Sequence, residues 1–245
     1  MGRFDGKTAV VTGAASGMGR EVVRQLVSEG ARVTALDLDF PDIKPGNTGE
    51  SPSVIYQKHD VTVPEQWDVV VAKLKDCYTR VDILVNAAGV MDYAPLHEME
   101  LSSWRRVIDV DLDGVMLGMK AIIPLMRAGG GGAIINFSSA LATVVLPGSP
   151  AYHAAKAAVT QLTRNAAITY AADKVRVNAI HPGVIETPMV MKQSKEFNEA
   201  AVARTPLGRM GTADEIAKFV LFMASDDAAF MTGSAVVVDG GFSLM

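Results

Sequence analysis

Lys7-Thr8-Ala9-Val10-Val11-Thr12-Gly13-Ala14-Ala15-Ser16-Gly17-Met18-Gly19 runs from an apolar, β-branched segment into a glycine-rich turn, and helical spacing begins at Arg20. A strand that ends in such a turn and opens a helix makes a cradle for a pyrophosphate. Gly13 permits the sharp turn, Gly17 lets the anion approach backbone N–H groups, and Gly19 lets the helix pack against the sheet. The helix dipole, reached past Ser16 and Met18, favours the negative charge. The spacing is Gly-xxx-Gly-x-Gly, which differs from the commoner Gly-x-Gly-xx-Gly. An ordinary tight turn is the bland alternative, and placement directly after the first strand argues against it. Asp37 ends the next apolar run, eighteen residues after Gly19. A carboxylate there can accept two hydrogen bonds from an adenosine ribose and repel a 2′-phosphate. Leu38, Asp39 and Ser16 are not basic, so NAD is expected rather than NADP.

Further along, apolar β-branched runs recur at Val33–Leu36, Val54–Tyr56, Ile83–Val85, Ile134–Phe137, Val175–Ile180 and Ala235–Val238. Segments with helical spacing separate most of them, including long helices expected over Leu101–Arg127 and Ala151–Ala171. Continuous apolar strands alternating with helices indicate an α/β fold with a parallel sheet covered on both faces. Between Asp37 and Val54 the prolines and glycines predict a surface loop instead of a helix. Gly129–Gly132 resembles a phosphate cradle but precedes a strand, so it is expected to be a flexible turn. No repeat or linker interrupts the pattern, and residues 1–245 read as one domain.

Composition narrows the function classes. The net charge of −4 offers no basic footprint for nucleic acid or an anionic membrane. No run approaches eighteen uninterrupted apolar residues, so no membrane span is expected. Cys77 is the single cysteine, which excludes an intramolecular disulfide and suits a reducing cytoplasm. The N-terminal residues carry no apolar signal core. His59, His97, His153 and His181 lie far apart without ligand spacing, and no metal is expected.

The chemistry is carried by Tyr152 and Lys156, one helical turn apart, with Ser139 thirteen positions upstream. A tyrosine begins near pKa 10, and bringing it to neutrality takes roughly 4 kcal/mol of preference for the phenolate. One positive charge about 4 Å away in a partly screened site supplies roughly that amount. Ser139 can hold a substrate oxygen beside the phenol. Taken alone the Tyr-xxx-Lys pair is weak, because such pairs arise by chance on exposed helices. Its context strengthens it.

The chain resembles the short-chain dehydrogenase/reductase family nearly end to end. Thr12-Gly13-xxx-Gly17-x-Gly19, Asp60-Val61, Asn86-Ala87-Ala88-Gly89, Ser139, Tyr152-xxx-Lys156 and Pro182-Gly183-xxx-Thr187 carry the likeness, in the family's order. The resemblance implies a Rossmann fold, doubly wound around a seven-stranded parallel sheet, that binds a nicotinamide dinucleotide. It implies that Asp60 and Val61 contact the adenine and that Asn86 to Gly89 line the cofactor groove. Pro182, Gly183, Val184, Ile185 and Thr187 would orient the nicotinamide amide. Tyr152 would be the acid/base, Lys156 would bind the nicotinamide ribose and lower the Tyr152 pKa, and Ser139 would hold the reacting oxygen. A homotetramer built through the two long helices is implied as well, and the apolar end Gly241–Met245 is expected between subunits. Met189 and Met191 fall where the family carries a mobile lid. With Met91, Leu141, Val144 and Val145 they suggest an apolar substrate pocket.

The chain departs from the family pattern at two places. Ala87 replaces an asparagine, a mild change. Asp111 stands where the family usually has an asparagine that supports a water-mediated proton path. On a helix Asp111 shares a face with Trp104, Ile108 and Val115, so it should point inward and find a donor or cation. It is either a near-isosteric substitution or a member of the relay that pairs with Lys156 through water. His153 points about 100° away from Tyr152 around the helix and is not expected to transfer protons. The function expected is an NAD-dependent interconversion of a secondary alcohol and its ketone. The alternatives are an NADPH-dependent 3-oxoacyl-thioester reductase and a nucleotide-sensing binding protein without catalysis.

Overall fold

The computed structural model describes residues 2–41 and 53–245. β1 (Thr8–Thr12) passes through the glycine loop into α1 (Gly17–Ser28), and β2 (Arg32–Asp37), β3 (Val54–Lys58), α2 (Pro64–Cys77) and β4 (Ile83–Asn86) follow. Next come α3 (Leu101–Ile108), α4 (Gly114–Ala128), β5 (Gly132–Phe137), α5 (Pro150–Tyr170) and β6 (Val175–Pro182). The remainder is β7 (Ile185–Glu186), α6 (Pro188–Met191), α7 (Lys195–Ala203), β8 (Gly211–Thr212), α8 (Ala213–Ala224) and β9 (Ala235–Val238).

Seven of these strands form one parallel sheet in the order β3-β2-β1-β4-β5-β6-β9, and β7 and β8 pair separately. The central strands carry continuous apolar runs, Ala9–Val11 in β1 and Ile83–Val85 in β4, because both faces are covered. Every residue of β1 and β4 is buried, and Val and Ile suit that pleated, two-sided environment. On one face α1 and α8 pack through Val22, Leu26, Ile216, Val220 and Leu221. The other face is covered by residues that include Trp67, Leu74, Met119, Ile122 and Val159 of α2, α4 and α5. The order reverses between β1 and β4, and a crevice opens beyond the C-terminal strand ends at that switch point.

The seven-stranded doubly wound sheet agrees with the sequence. The single helix expected over Leu101–Arg127 does not form as such. A five-residue π-helical turn, Asp109–Asp113, separates α3 from α4. Widened turns of this kind re-aim side chains and occur often at functional sites. Here Asp111 is buried while Asp109 and Asp113 stay exposed. Gly130 and Gly131 take φ of 86° and 125° in the turn before β5, which is the role expected of that run. Of the loop expected between Asp37 and Val54, residues 42–52 lie outside the described residues.

Candidate active site

The glycine loop is built against the end of β4. Thr12 Oγ1 accepts the N–H groups of Ala87 and Ala88 at 3.1 and 3.2 Å, tying the two segments together. Gly13 has φ +64°, and a Cβ there would lie 2.7 Å from the backbone of Ala87 and Ala88. A Cβ on Gly19 would meet the Gly13 carbonyl oxygen at 2.1 Å, so the helix sits directly on the loop. Beyond them runs a groove of about 510 Å³ lined by Gly13, Ser16, Gly17, Met18, Asp37, Asp60, Val61, Ala87, Ala88, Gly89 and Thr187, among others. Asp37 lines one end of it. The carboxylate accepts N–H groups from Ala15 at 2.9 Å and Leu38 at 2.7 Å, so it also braces the glycine loop. The nearby Lys58 ammonium is engaged with Asp39 at 2.7 Å. The Asp60 carboxylate accepts from the N–H and hydroxyl of Thr62, before α2. The Asn86 side chain does not reach the groove. Its amide turns into the sheet and donates to Asn136 Oδ1 at 2.8 Å, leaving the next three residues as the lining.

At the other end of the groove the four expected catalytic groups come together. Ser139 leaves β5 in extended conformation, and its hydroxyl accepts the Leu141 N–H at 3.1 Å, which fixes its orientation. Tyr152 and Lys156 lie on one face of α5, with the ammonium 5.4 Å from the centre of the phenol ring. Lys156 is 3% exposed, donates to the Phe137 carbonyl at 3.0 Å and contacts the Asp111 carboxylate at 3.0 Å. Asp111 is fully buried and also accepts the Val90 N–H at 2.7 Å. The pairing expected through water is therefore direct, because the π turn carries the carboxylate up to the ammonium.

These charges decide the acid–base character of the site. Burial pushes the Tyr152 phenol above its ordinary value. Lys156 and a hydrogen bond from Ser139 oppose that rise, and the negative charge of Asp111 adds to it. Burial would lower Lys156, but Asp111 and Tyr152 hold the ammonium above its usual range. Burial raises the Asp111 carboxyl as well, against the pull of Lys156 and the Val90 N–H. The chain's own groups thus leave the phenol protonated at neutral pH, contrary to the lowering expected from Lys156 alone.

Gly89 is the window between this pair and the groove. A Cβ there would lie 3.1 Å from Asp111 Oδ2 and 3.6 Å from Lys156 Nζ. The cradle glycines, the opening at Gly89 and the Asp37 carboxylate at the far end are chemically suited to a nicotinamide dinucleotide, whose ribose Lys156 would then meet. Replacing Gly89 with Ala should weaken dinucleotide binding by about tenfold or more, measured as Kd by calorimetry, because the methyl group screens the ammonium. A Kd within about twofold of the parent value would contradict that placement of Lys156.

Comparison with known proteins supports the same assignment. A family model described as enoyl-(acyl carrier protein) reductase matches residues 13–243. The cis-4-hydroxycyclohexanecarboxylate dehydrogenase of Sinomonas cyclohexanicum is 40% identical over 243 residues, covering 98% of each chain. The 3-oxoacyl-(acyl-carrier-protein) reductase of Thermotoga maritima is 38% identical, again over 98% of each. A crystal structure described as a short-chain dehydrogenase/reductase from Burkholderia xenovorans superposes with a TM-score of 0.92 at 35% identity. It spans 100% of this chain and 99% of its own. The chain belongs to the short-chain dehydrogenase/reductase family.

This short-chain dehydrogenase/reductase has a second cavity of about 120 Å³ that shares Met18, Thr187 and Met189 with the dinucleotide groove. Ser139, Leu141, Tyr152, Pro182, Gly183, Val184 and Ile185 line it, as does Met91. Val145, expected in its wall, is 77% exposed on the surface, and Leu146 takes the inward place. His153 is the cause. Its Nε2 accepts the Leu146 N–H at 3.1 Å, so Nδ1 carries the proton and donates to the Ser149 carbonyl at 2.6 Å. That clamp sets which side chain of the loop faces in. Phe242 also lines the cavity and is 2% exposed within this chain, whereas Leu244 and Met245 are exposed. Tyr93 and Phe197 are lining residues that the sequence did not reveal. Both lie in segments without periodic patterning, and Phe197 in α7 gave no signal beyond being aromatic. A larger hollow of about 570 Å³, lined by Arg3, Lys7, Arg80, Lys174 and Arg176 among others, lies away from these groups beside the N-terminal strand ends. Among the described residues no three His, Cys, Asp or Glu side chains gather as a metal site requires.

Proposed function

We propose that this member of the family is an NAD-dependent oxidoreductase that interconverts a secondary alcohol and its ketone on a hydrophobic substrate. The observation that carries this is the position of Tyr152, Ser139 and the Lys156–Asp111 pair where the dinucleotide groove and the apolar cavity adjoin. Ser139 holds the substrate oxygen beside the phenol, and Tyr152 as phenolate takes the hydroxyl proton. Lys156 keeps a positive charge next to that oxygen and passes the proton onward. When bound, an oxidised nicotinamide dinucleotide supplies the acceptor for the hydride of the carbinol carbon and a further positive charge near the phenol. The alcohol thus loses one hydride and one proton to give the ketone. Asp111 acts through Lys156 and is a positioning residue.

NAD is favoured because Asp37 places a carboxylate where a 2′-phosphate would need a cation. The test is initial rates on a panel of secondary alcohols with each dinucleotide. The expected result is a preference for NAD of at least about 100-fold in kcat/KM, and a preference for NADP would overturn the role given to Asp37. Reduction of an acyl-thioester ketone is a second reading, favoured by the family model and the Thermotoga relative, and Asp37 weighs against it. By family resemblance the assembly is a homotetramer formed through α4 and α5, where Ala154, Ala157 and Ile168 are exposed on the α5 surface. The single, unpaired Cys77 suits a cytoplasmic location.

A further inference from the structure

The alcohol–ketone activity proposed above leaves the substrate open, and the cavity beside Tyr152 narrows it. Its polar lining is confined to Ser138, Ser139, Tyr93, Tyr152 and Thr187, and no lining side chain carries a charge. The nearby cations are committed elsewhere. Lys156 is paired with Asp111, Arg106 lies 3.7 Å from Asp92, and the Arg204 guanidinium sits over the Phe242 ring. Lys192 faces the dinucleotide groove and does not line the cavity.

Two aromatic side chains of the lining also meet. Tyr93, from the segment after β4, meets Phe197 of α7 edge to face, with centroids 5.7 Å apart and planes at 75°. Aromatic pairs of this geometry gain about 0.5–1.5 kcal/mol beyond their buried area, so the contact draws α7 toward the opposite rim. The 120 Å³ of the cavity is close to the apolar cavity of about 150 Å³ that accommodates one benzene molecule. It is well below the roughly 300 Å³ and upward typical of pockets for drug-sized ligands.

We infer that the substrate is an uncharged secondary alcohol with a single carbocyclic ring, and that the Tyr93–Phe197 clasp sets this size limit. The similarity to an enzyme named for a carboxylated cyclohexanol does not extend to its carboxylate. A carboxylate taken into this cavity would be desolvated without a cationic partner, which is costly. A compact neutral ring fills the apolar walls and presents its hydroxyl to Ser139 and Tyr152. The redox balance is that given above, with the cyclic ketone as product.

The test compares cyclohexanol, methyl cis-4-hydroxycyclohexanecarboxylate, the corresponding free acid and a 3-hydroxysteroid, each with saturating NAD and with saturating NADP. Cyclohexanol and the methyl ester should exceed the free acid in kcat/KM by at least about 100-fold. The ester and not the acid should raise the Tm of the protein. Replacing Phe197 with Ala should raise the ratio of steroid to cyclohexanol kcat/KM by about tenfold or more, and Phe197→Leu should raise it less. Equal or better use of the free acid, or an unchanged ratio in both variants, overturns the inference while leaving the dehydrogenase activity standing. Absence of turnover on all four alcohols with both dinucleotides would overturn the proposed activity itself, and this inference with it.

Discussion

Replacing Tyr152 with Phe should lower kcat about 1,000-fold, within the range that a positioned general acid–base supplies. The substitution removes one hydroxyl from a half-buried ring and keeps the ring's packing against the cluster of Val107, Ala151 and Ala155. Melting temperature should therefore stay close to the parent value, and dinucleotide Kd should change by less than about threefold, since the groove is built mainly by other residues. That split, lost turnover with intact binding and stability, separates a catalytic role from a structural one. Retention of more than about a tenth of the parent kcat would remove Tyr152 as the acid/base and leave the site without a proton acceptor facing the cavity. Ser139 cannot take its place, because a neutral serine hydroxyl has no basic form near neutral pH and would itself need a base to lose its proton.

Sequence and structure agree best where one force dominates. The central strands were legible because a parallel sheet covered on both faces requires unbroken apolar runs, and Ala9–Val11, Ile83–Val85 and Ala133–Ile135 supply them. The glycine loop was legible because Gly13 and Gly19 answer to steric contacts that only glycine tolerates. Tyr152 and Lys156 were legible through helical spacing. What escaped depends on interactions without a local pattern. Nothing between Leu101 and Arg127 announces a π turn, since its residues suit an ordinary helix equally well. Val145 and Leu146 are adjacent apolar residues in a loop, and a hydrogen bond to His153 decides which of them faces inward. Phe197 and Tyr93 are more than 100 positions apart, and only the folded chain brings their rings together. The electrostatic balance escaped for a similar reason. A sum over Tyr152 and Lys156 alone omits both burial and the carboxylate that the π turn delivers.

That carboxylate leads to the second large effect, an Asp111→Asn substitution read through the pH dependence of alcohol oxidation. The active form is the phenolate, so the rate rises with pH through the Tyr152 ionisation. Burial raises that ionisation, Lys156 lowers it, and Asp111 raises it again. Removing the negative charge leaves the Lys156 charge less opposed, so the inflection should move to lower pH. A unit charge in the next side chain, at an effective dielectric of about 20, is worth about one pKa unit or more. Below both inflections the variant should then turn over about tenfold faster, and above both the two proteins should converge. Ketone reduction uses the phenol as acid, so its alkaline decline should begin at lower pH in the variant. Asparagine keeps one oxygen to accept the Val90 N–H, so the π turn should survive, as the melting temperature will report; its NH2 takes the place of the oxygen beside Lys156, which leaves the ammonium held by the Phe137 carbonyl. An inflection that does not move has a definite physical meaning. Burial also pushes the Asp111 carboxyl upward, and a carboxyl that holds its proton is nearly isosteric with the amide and equally uncharged. In that outcome the 3.0 Å contact joins the ammonium to an uncharged carboxyl, and Lys156 alone among the chain's groups lowers the phenol by its charge.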